Sequence, residues 1–261
     1  MKILKKITPL VIFGISTFLT TGCSLPTDPG PQPKEIIDTK FEPGYNVLGV
    51  LRNEGNPGSS FIRVEELYKL SDIDEEYNPA QEGLDVRILE VLTGDTLTFV
   101  ETDDSLRGLI YSDSSFRPLA ATRYSLSISG GDLSAVTADV IVPPSPVIDT
   151  NSVTISGKTV QFYLDTVSEI ALYEVYLTCE NDTISVRQFP AQSGKTIIRI
   201  SVTSATGPPE QLEIYGYESN LAEYITAPIT IKPQTYRETV TTVSGGYGVF
   251  GAVSVSTYQF Q

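Results

Sequence analysis

The sequence predicts an all-β protein with two β-sandwich domains in tandem, of immunoglobulin-like or transthyretin-like type, after a signal peptide and a proline-rich tether. From Tyr45 onward, apolar and polar residues alternate with a period of two, and helical periodicity is nearly absent. Turn residues such as Thr93-Gly94 and Gly130-Gly131-Asp132 separate short runs. The cluster Pro143-Pro144-Ser145-Pro146 divides the runs into two series, because proline cannot donate a hydrogen bond to a strand ladder.

Each run of alternating residues is a predicted strand. The first series lies at Tyr45–Leu51, Phe61–Leu70, Leu84–Leu92, Asp95–Glu101, Gly108–Ser112, Arg123–Ser129 and Ser134–Val142. The second lies at Ser152–Ser156, Thr159–Leu164, Ala171–Thr178, Thr183–Gln188, Thr196–Thr203, Gln211–Tyr217, Thr226–Ile231, Arg237–Val243 and Val249–Phe260. Residues Ser219–Tyr224 form the predicted helical turn, with Ser219 or Asn220 as its N-cap.

These patterns divide the chain into five predicted parts. Residues 1–22 are a signal peptide, and residues 23–37 are a lipidated tether that includes four prolines between Ser24 and Pro33. The first β-sandwich domain covers residues 38–143, and the second covers residues 150–261. Residues 144–149 are a proline-rich hinge between them.

The amino terminus indicates export. Lys2, Lys5 and Lys6 precede an apolar run from Ile7 to Leu19 that is too short to span a bilayer, which needs about 20 apolar residues. The following string, Leu19-Thr20-Thr21-Gly22-Cys23, resembles the bacterial lipobox, where the chain is cleaved before a cysteine that is then acylated. Cys23 is therefore the predicted lipidation site, and several acyl chains would anchor it stably. An ordinary secretory signal with a nearby cysteine is the alternative.

Composition excludes several function classes. The formal net charge is −14, and loss of the three signal lysines would make the mature chain −17, so nucleic acid is not an expected partner. The chain has no histidine, which excludes Ser-His-Asp and Cys-His catalysis and zinc sites with His ligands. If Cys23 is acylated, Cys179 has no partner for a disulfide, and its alternating surroundings predict a buried thiol.

Three motifs suggest chemistry, and each has a plainer explanation. Gly246–Gly251 matches G-x-G-x-x-G, but the next residues alternate as a strand, whereas a dinucleotide site needs a helix there. The acidic run Asp72, Asp74, Glu75 and Glu76 is a weak calcium candidate, and a solvated loop is the alternative. Asp103 and Asp104 could act as paired carboxylates, but adjacent residues on a turn usually point apart. The sequence thus predicts no catalytic residue, metal or cofactor.

Several stretches in order resemble a known family. They are the lipobox, Tyr45–Val50, Gly108–Tyr111, Tyr124–Ile128, the exit Ala135–Pro144, and Gly246–Ala252 near the carboxyl terminus. Together they are similar to the Bacteroidota outer-membrane lipoproteins known as domain of unknown function 4249. That family usually has a glycine in the turn before the Tyr-x-Leu strand, where this chain has Ala120-Ala121-Thr122.

The resemblance implies a two-domain cell-envelope lipoprotein without catalysis, often encoded beside TonB-dependent transporters. The expected location is the outer membrane, lipid-anchored, facing the periplasm or the cell surface. The expected role is an accessory or binding component of an outer-membrane transport system, with a transporter or another envelope protein as partner. A surface or fimbria-like structural or adhesion subunit is the alternative, and a carboxylate-dependent hydrolase is a more distant one.

Overall fold

A computed structural model describes residues 43–67, 78–227 and 241–260, and in these ranges the chain is almost entirely β. The strands are β1 (Tyr45–Asn53), β2 (Phe61–Glu66), β3 (Asp85–Glu90), β4 (Thr96–Asp104), β5 (Gly108–Ser112), β6 (Arg123–Ser129), β7 (Val136–Ile141), β8 (Ile148–Ser156), β9 (Thr159–Leu164), β10 (Leu172–Cys179), β11 (Asp182–Gln188), β12 (Thr196–Ser201), β13 (Pro209–Tyr217) and β14 (Tyr247–Gln259). One short helix, α1 (Ser219–Thr226), precedes β14. The all-β sandwich prediction is confirmed.

The first sandwich packs two layers that share strand β4. Residues Thr96–Phe99 of β4 pair with β3, whereas residues Val100–Asp104 pair with β5, so β4 passes from one layer to the other. One layer continues through β5, β2 and β1 to β14, and the other continues through β3 and β6 to β7. Side chains from both layers form one core that includes Tyr45, Ile62, Phe99 and Leu126. Along these strands, side chains that face the core alternate with side chains that face outward, which explains the period of two in the sequence.

In the second sandwich, the strands β11, β10, β13 and β14, in that order, pack against the three-stranded sheet β12-β9-β8. Its core contains Phe162 from β9, Ile198 from β12, Val175 from β10 and Leu212 from β13. The odd-numbered residues of β10 face this core, as the sequence pattern indicates.

Strand β14 belongs to both sandwiches. Its first residues, Tyr247–Ser254, pair in parallel with β1, and Val253–Gln259 pair antiparallel with β13. The predicted assignment of all of residues 150–261 to a second domain is therefore corrected at this strand, because its first half completes the sheet of the first sandwich. Parallel pairing between residues about 200 positions apart leaves no local sequence signal.

The segment between the sandwiches is packed against them. Pro143 and Pro146 are buried, and the Ser254 hydroxyl donates to the Pro144 carbonyl oxygen at 2.8 Å. A Cβ built on Gly216 would lie 3.0 Å from the Pro146 ring. Of the predicted hinge, residues 144–147 thus form a connection that contacts β13 and β14, whereas Ile148 and Asp149 already belong to β8.

Three strand predictions fall partly outside the described ranges or on segments that are not strands, whereas the others differ from the structure only in their bounds. The strand that begins at Phe61 ends at Glu66, and residues 68–70 lie outside the described ranges. Thr226, the predicted start of a strand, is instead the last residue of α1, and residues 228–231 lie outside the described ranges. In the predicted strand Arg237–Val243, residues 241–243 are not a strand, and the earlier ones are not described.

The helix prediction is right in place and wrong in its cap. The N-cap is Glu218, whose carboxylate accepts from the backbone N–H groups of Asn220 and Leu221, each at 2.7 Å. Within the described part of the chain, no helix has the length and apolarity needed to cross a membrane.

Candidate binding surface

The predicted lipidation and calcium residues are not placed by the structure. Cys23 and its context Leu19, Thr20, Thr21 and Gly22 lie outside the described ranges. The acidic residues Asp72, Asp74, Glu75 and Glu76 also lie outside them. In residues 43–67, 78–227 and 241–260, no group of three His, Cys, Asp or Glu side chains lies close enough together to hold a metal ion.

The Asp104 carboxylate is held by the β4–β5 turn itself. Asp104 accepts from the N–H groups of Leu106 and Arg107 at 2.9 and 2.8 Å, and it pairs with the Arg107 guanidinium at 2.8 Å. These backbone hydrogen bonds lower the pKa of Asp104. Asp104 therefore acts as a turn acceptor, and its neighbour Asp103 pairs across the ladder with Leu109.

Two other sequence interpretations are confirmed. The Cys179 thiol is buried in the core of the second sandwich, where burial raises its pKa. The Gly-rich motif enters strand β14: Gly248 has φ +96°, and a Cβ there would lie 2.1 Å from the Val47 carbonyl oxygen. Glycine is needed at this position for close strand pairing.

The described residues do bring one group of aromatic and acidic side chains together, on the outer side of β10 and β13. We call this group the tyrosine face: Tyr176, Tyr215, Tyr217, Glu174 and Glu213. The residues between them in sequence point into the core of the second sandwich. Antiparallel pairing places Glu174 opposite Tyr215, and it places Tyr176 opposite Glu213.

A buried carboxylate lies at the centre of the tyrosine face. Glu174 is only 5% exposed. Its two oxygens accept from Arg187 Nε at 2.7 Å and from the Tyr217 hydroxyl at 2.8 Å. A charge this deeply buried needs such partners. Arg187 is about half exposed, so the network reaches the surface.

The phenols of the tyrosine face are held in their neutral form. Burial, followed by the hydrogen bond to Glu174, raises the pKa of Tyr217 far above the usual range. Burial also raises the pKa values of Tyr176 and Tyr215, and a neighbouring carboxylate adds to each shift. Such hydroxyls donate hydrogen bonds, and they are poor phenolate nucleophiles at neutral pH.

The rings form a continuous aromatic row. Tyr176 and Tyr215 meet edge to face with centroids 5.4 Å apart, and Tyr215 stacks on Tyr217 at 6.4 Å. The Arg52 guanidinium from β1 lies 5.9 Å from the centroid of the Tyr215 ring. The row therefore extends from the second sandwich toward the first.

A buried apolar cluster from the shared strands lies beside the row. Val249 and Val253 of β14 pack with Leu48 of β1, with Leu221 of α1, and with the rings of Tyr215 and Tyr217. The cluster therefore supports the half-buried rings from one side, and aromatic rings with polar tips are common in recognition surfaces.

Local sequence patterns alone do not select these residues. A signal was present in Glu174-Val175-Tyr176 and in Glu213-Ile214-Tyr215-Gly216-Tyr217, where acids and tyrosines share one strand face. Joining the two segments requires the β10–β13 pairing, which the structure provides.

Comparisons with known proteins add no functional assignment. No protein-family model matches the chain, and a search of curated proteins also finds no match. Among solved structures, the chain is similar to the chicken interferon gamma receptor alpha chain, with 9% identity and a TM-score of 0.22. That match covers 68% of this chain and 89% of the receptor chain.

Proposed function

We propose that the protein is a non-catalytic cell-envelope lipoprotein, anchored in the outer membrane through acylated Cys23. Its role is that of an accessory or binding component of a TonB-dependent-type transport system. The lipobox-like string supports the anchor, and the family resemblance supports the transport context.

The tyrosine face is the observation that carries the binding role. It combines half-buried neutral phenols and a buried carboxylate on the outer side of one sheet, beside a buried apolar cluster. Aromatic residues with polar tips dominate the energetics of many protein interfaces. A partner that covers this face would bury on the order of 1,200 Å² or more in total if the complex is stable.

A pulldown from native outer membranes in mild detergent tests the binding role. Tagged wild-type protein should enrich an outer-membrane transporter, identified by mass spectrometry. The double variant Tyr176→Ala/Tyr215→Ala should lose that partner. Tyr163→Ala, which removes a half-buried ring from the separate sheet of the second sandwich, should keep it. Thermal melts of all three proteins verify folding.

Other outcomes would contradict the proposal. An SDS-resistant ladder of self-polymers would favour the structural-subunit alternative. Hydrolysis of glycosides, esters or peptides by the purified chain, lost on changing Asp72, Asp74, Glu75 and Glu76 to amides, would favour a hydrolase. Equal recovery of the transporter by the double variant would show that the tyrosine face is not the binding surface.

The anchor has its own test. Cys23→Ala should abolish palmitate labelling and leave unprocessed precursor, because cleavage and acylation both require the cysteine. Normally processed, membrane-bound protein from that variant would contradict the predicted lipidation.

A further inference from the structure

One carboxylate of the tyrosine face lacks the cationic partner that its neighbours have. Glu174 pairs with Arg187 at 2.7 Å. Glu54, which lies near the Tyr215 hydroxyl, pairs with Arg52 at 2.6 Å. Glu213 forms no ion pair with any residue that the structure describes. The charge of Glu213 is therefore not balanced on this face.

The Glu213 carboxylate is oriented by neutral donors. The Gln211 side-chain amide donates to one oxygen at 2.9 Å, and the Tyr215 hydroxyl donates to the other at 3.1 Å. Glu213 is half-buried, so part of its surface is open to a partner. Because each carboxylate oxygen has two lone pairs, these two hydrogen bonds leave capacity for a further donor.

An aromatic ring lies directly beside this carboxylate. The β10–β13 register places Tyr176 opposite Glu213, and the edge-to-face contact with Tyr215 at 5.4 Å fixes the Tyr176 ring. The same row continues to Ser185 of β11 and to Thr257 of β14. Both of these side chains are small and exposed. The row therefore presents a ring and a carboxylate side by side, with only small side chains on either flank.

The protein already holds one guanidinium with the same two groups. The Arg52 guanidinium lies 5.9 Å from the centroid of the Tyr215 ring, and the Glu54 carboxylate accepts from it at 2.6 and 3.1 Å. A guanidinium suits such a site because it is planar, stacks on aromatic rings and pairs with carboxylates. The net charge of −14 also attracts cationic groups over a longer range.

We propose that Tyr176 and Glu213 bind an arginine side chain of the protein partner. The guanidinium stacks on the Tyr176 ring and forms an ion pair with the Glu213 carboxylate. This inference rests on the binding role proposed for the tyrosine face, and it specifies the chemistry of the partner. Glu213 supplies the selectivity for charge, and Tyr176 supplies the stacking surface.

The probe is the tripeptide acetyl-Gly-Arg-Gly-amide, titrated into the purified chain and followed by nuclear magnetic resonance. The matched neutral probe is acetyl-Gly-Gln-Gly-amide. The arginine tripeptide should produce saturable shifts at Tyr176, Ser185, Glu213 and Thr257, and the glutamine tripeptide should not. This comparison uses the wild-type chain and needs no variant.

Two variants then test the carboxylate. Glu213→Gln keeps the shape of the side chain and should weaken binding of the arginine tripeptide by about threefold or more, as expected for loss of an ion pair at a half-buried site. Glu210→Gln is the control, because it makes the same change at an exposed position of β13 whose side chain points to the other side of the strand. Its affinity should equal that of the wild type. Thermal melts should show both variants folded.

Two results would overturn the arginine contact. One is the same response to the arginine and glutamine tripeptides, or shifts that fall elsewhere on the chain. The other is equal binding of the arginine tripeptide by Glu213→Gln and by the wild type.

The pulldown from outer membranes separates this inference from the binding role itself. Glu213→Gln should recover several-fold less transporter than the wild type, and Glu210→Gln should recover an equal amount. If Tyr176→Ala/Tyr215→Ala loses the transporter but Glu213→Gln retains it fully, the binding role stands and the arginine contact is wrong. If both retain it, the binding role of the tyrosine face is wrong as well.

Discussion

The hydroxyl of Tyr217 offers the sharpest test of the tyrosine face. Tyr217→Phe removes one oxygen atom and leaves the ring and its stacking on Tyr215 in place. That oxygen donates to Glu174 at 2.8 Å, and Glu174 is 95% buried. The substitution therefore leaves a buried carboxylate short of one partner.

The expected cost follows from that environment. A hydrogen bond to a charged group contributes about 1.5–3 kcal/mol, and a carboxylate excluded from water cannot replace it with solvent. For a domain of this size, each kcal/mol shifts the midpoint of thermal unfolding by about 2–4 °C. Tyr217→Phe should therefore lower the melting temperature by about 3–12 °C.

The assay is thermal and urea unfolding followed by circular dichroism, with Tyr163→Phe as the control. The Tyr163 hydroxyl has no hydrogen-bond partner among the described residues, so its loss should cost less than about 0.5 kcal/mol. A double-mutant cycle with Glu174→Gln should show coupling between the two positions. If Tyr217→Phe is as mild as Tyr163→Phe, Glu174 is solvated and the network described here does not exist.

Three further predictions follow from the packing. Gly248→Ala should destabilise the protein by about 3 kcal/mol or more in urea unfolding, because residue 248 has φ +96° and a Cβ there would lie 2.1 Å from the Val47 carbonyl oxygen. Gly94→Ala is the control: Gly94 also has a positive φ but has open space around it, so this change should cost about 1 kcal/mol. Equal costs would contradict the parallel β1–β14 pairing. Burial raises the pKa values of Tyr45, Tyr111 and Tyr173, so the stability that these phenols contribute should be complete below about pH 10 and decline as the pH rises further. An unfolding free energy in urea that is no smaller at about pH 11 than at about pH 9 would contradict this. Cys179 should react with a thiol reagent only after denaturant is added, and rapid labelling of the native chain would show that the second core is open.

Local patterns predicted best the strands that have one core face. Arg123–Ser129 and Thr159–Leu164 match their predicted bounds, and both alternate strictly between buried and exposed positions. Strand β8 begins at Ile148, four residues before its predicted start, because an irregularity between Asp149 and Thr154 breaks the period of two.

Long-range pairing could not be predicted from the sequence. The sharing of β14 depends on contacts between Tyr247–Ser254 and β1, which only the folded chain brings together. The tyrosine face depends in the same way on the β10–β13 register. The sequence predicted Ser219 or Asn220 as the N-cap, because serine and asparagine cap helices more often than glutamate does. The structure has Glu218 there instead, since its buried carboxylate accepts hydrogen bonds from the helix backbone.

The turn before β6 contains a residue other than glycine in the left-handed region. Ala121 has φ +57°. Glycine adopts this conformation without strain, and alanine adopts it at a cost of about 1–2 kcal/mol. The sequence pattern alone does not show this strain, because it depends on the backbone geometry of the turn.

Mass spectrometry of the mature amino terminus tests the central claim of an envelope lipoprotein most directly. The protein is purified from membranes and digested, and its first peptide is analysed. The account predicts that the chain begins at Cys23, with the thiol and the new amino group both acylated. A chain that retains residues 1–22, or begins at another residue without acyl groups on Cys23, would contradict it.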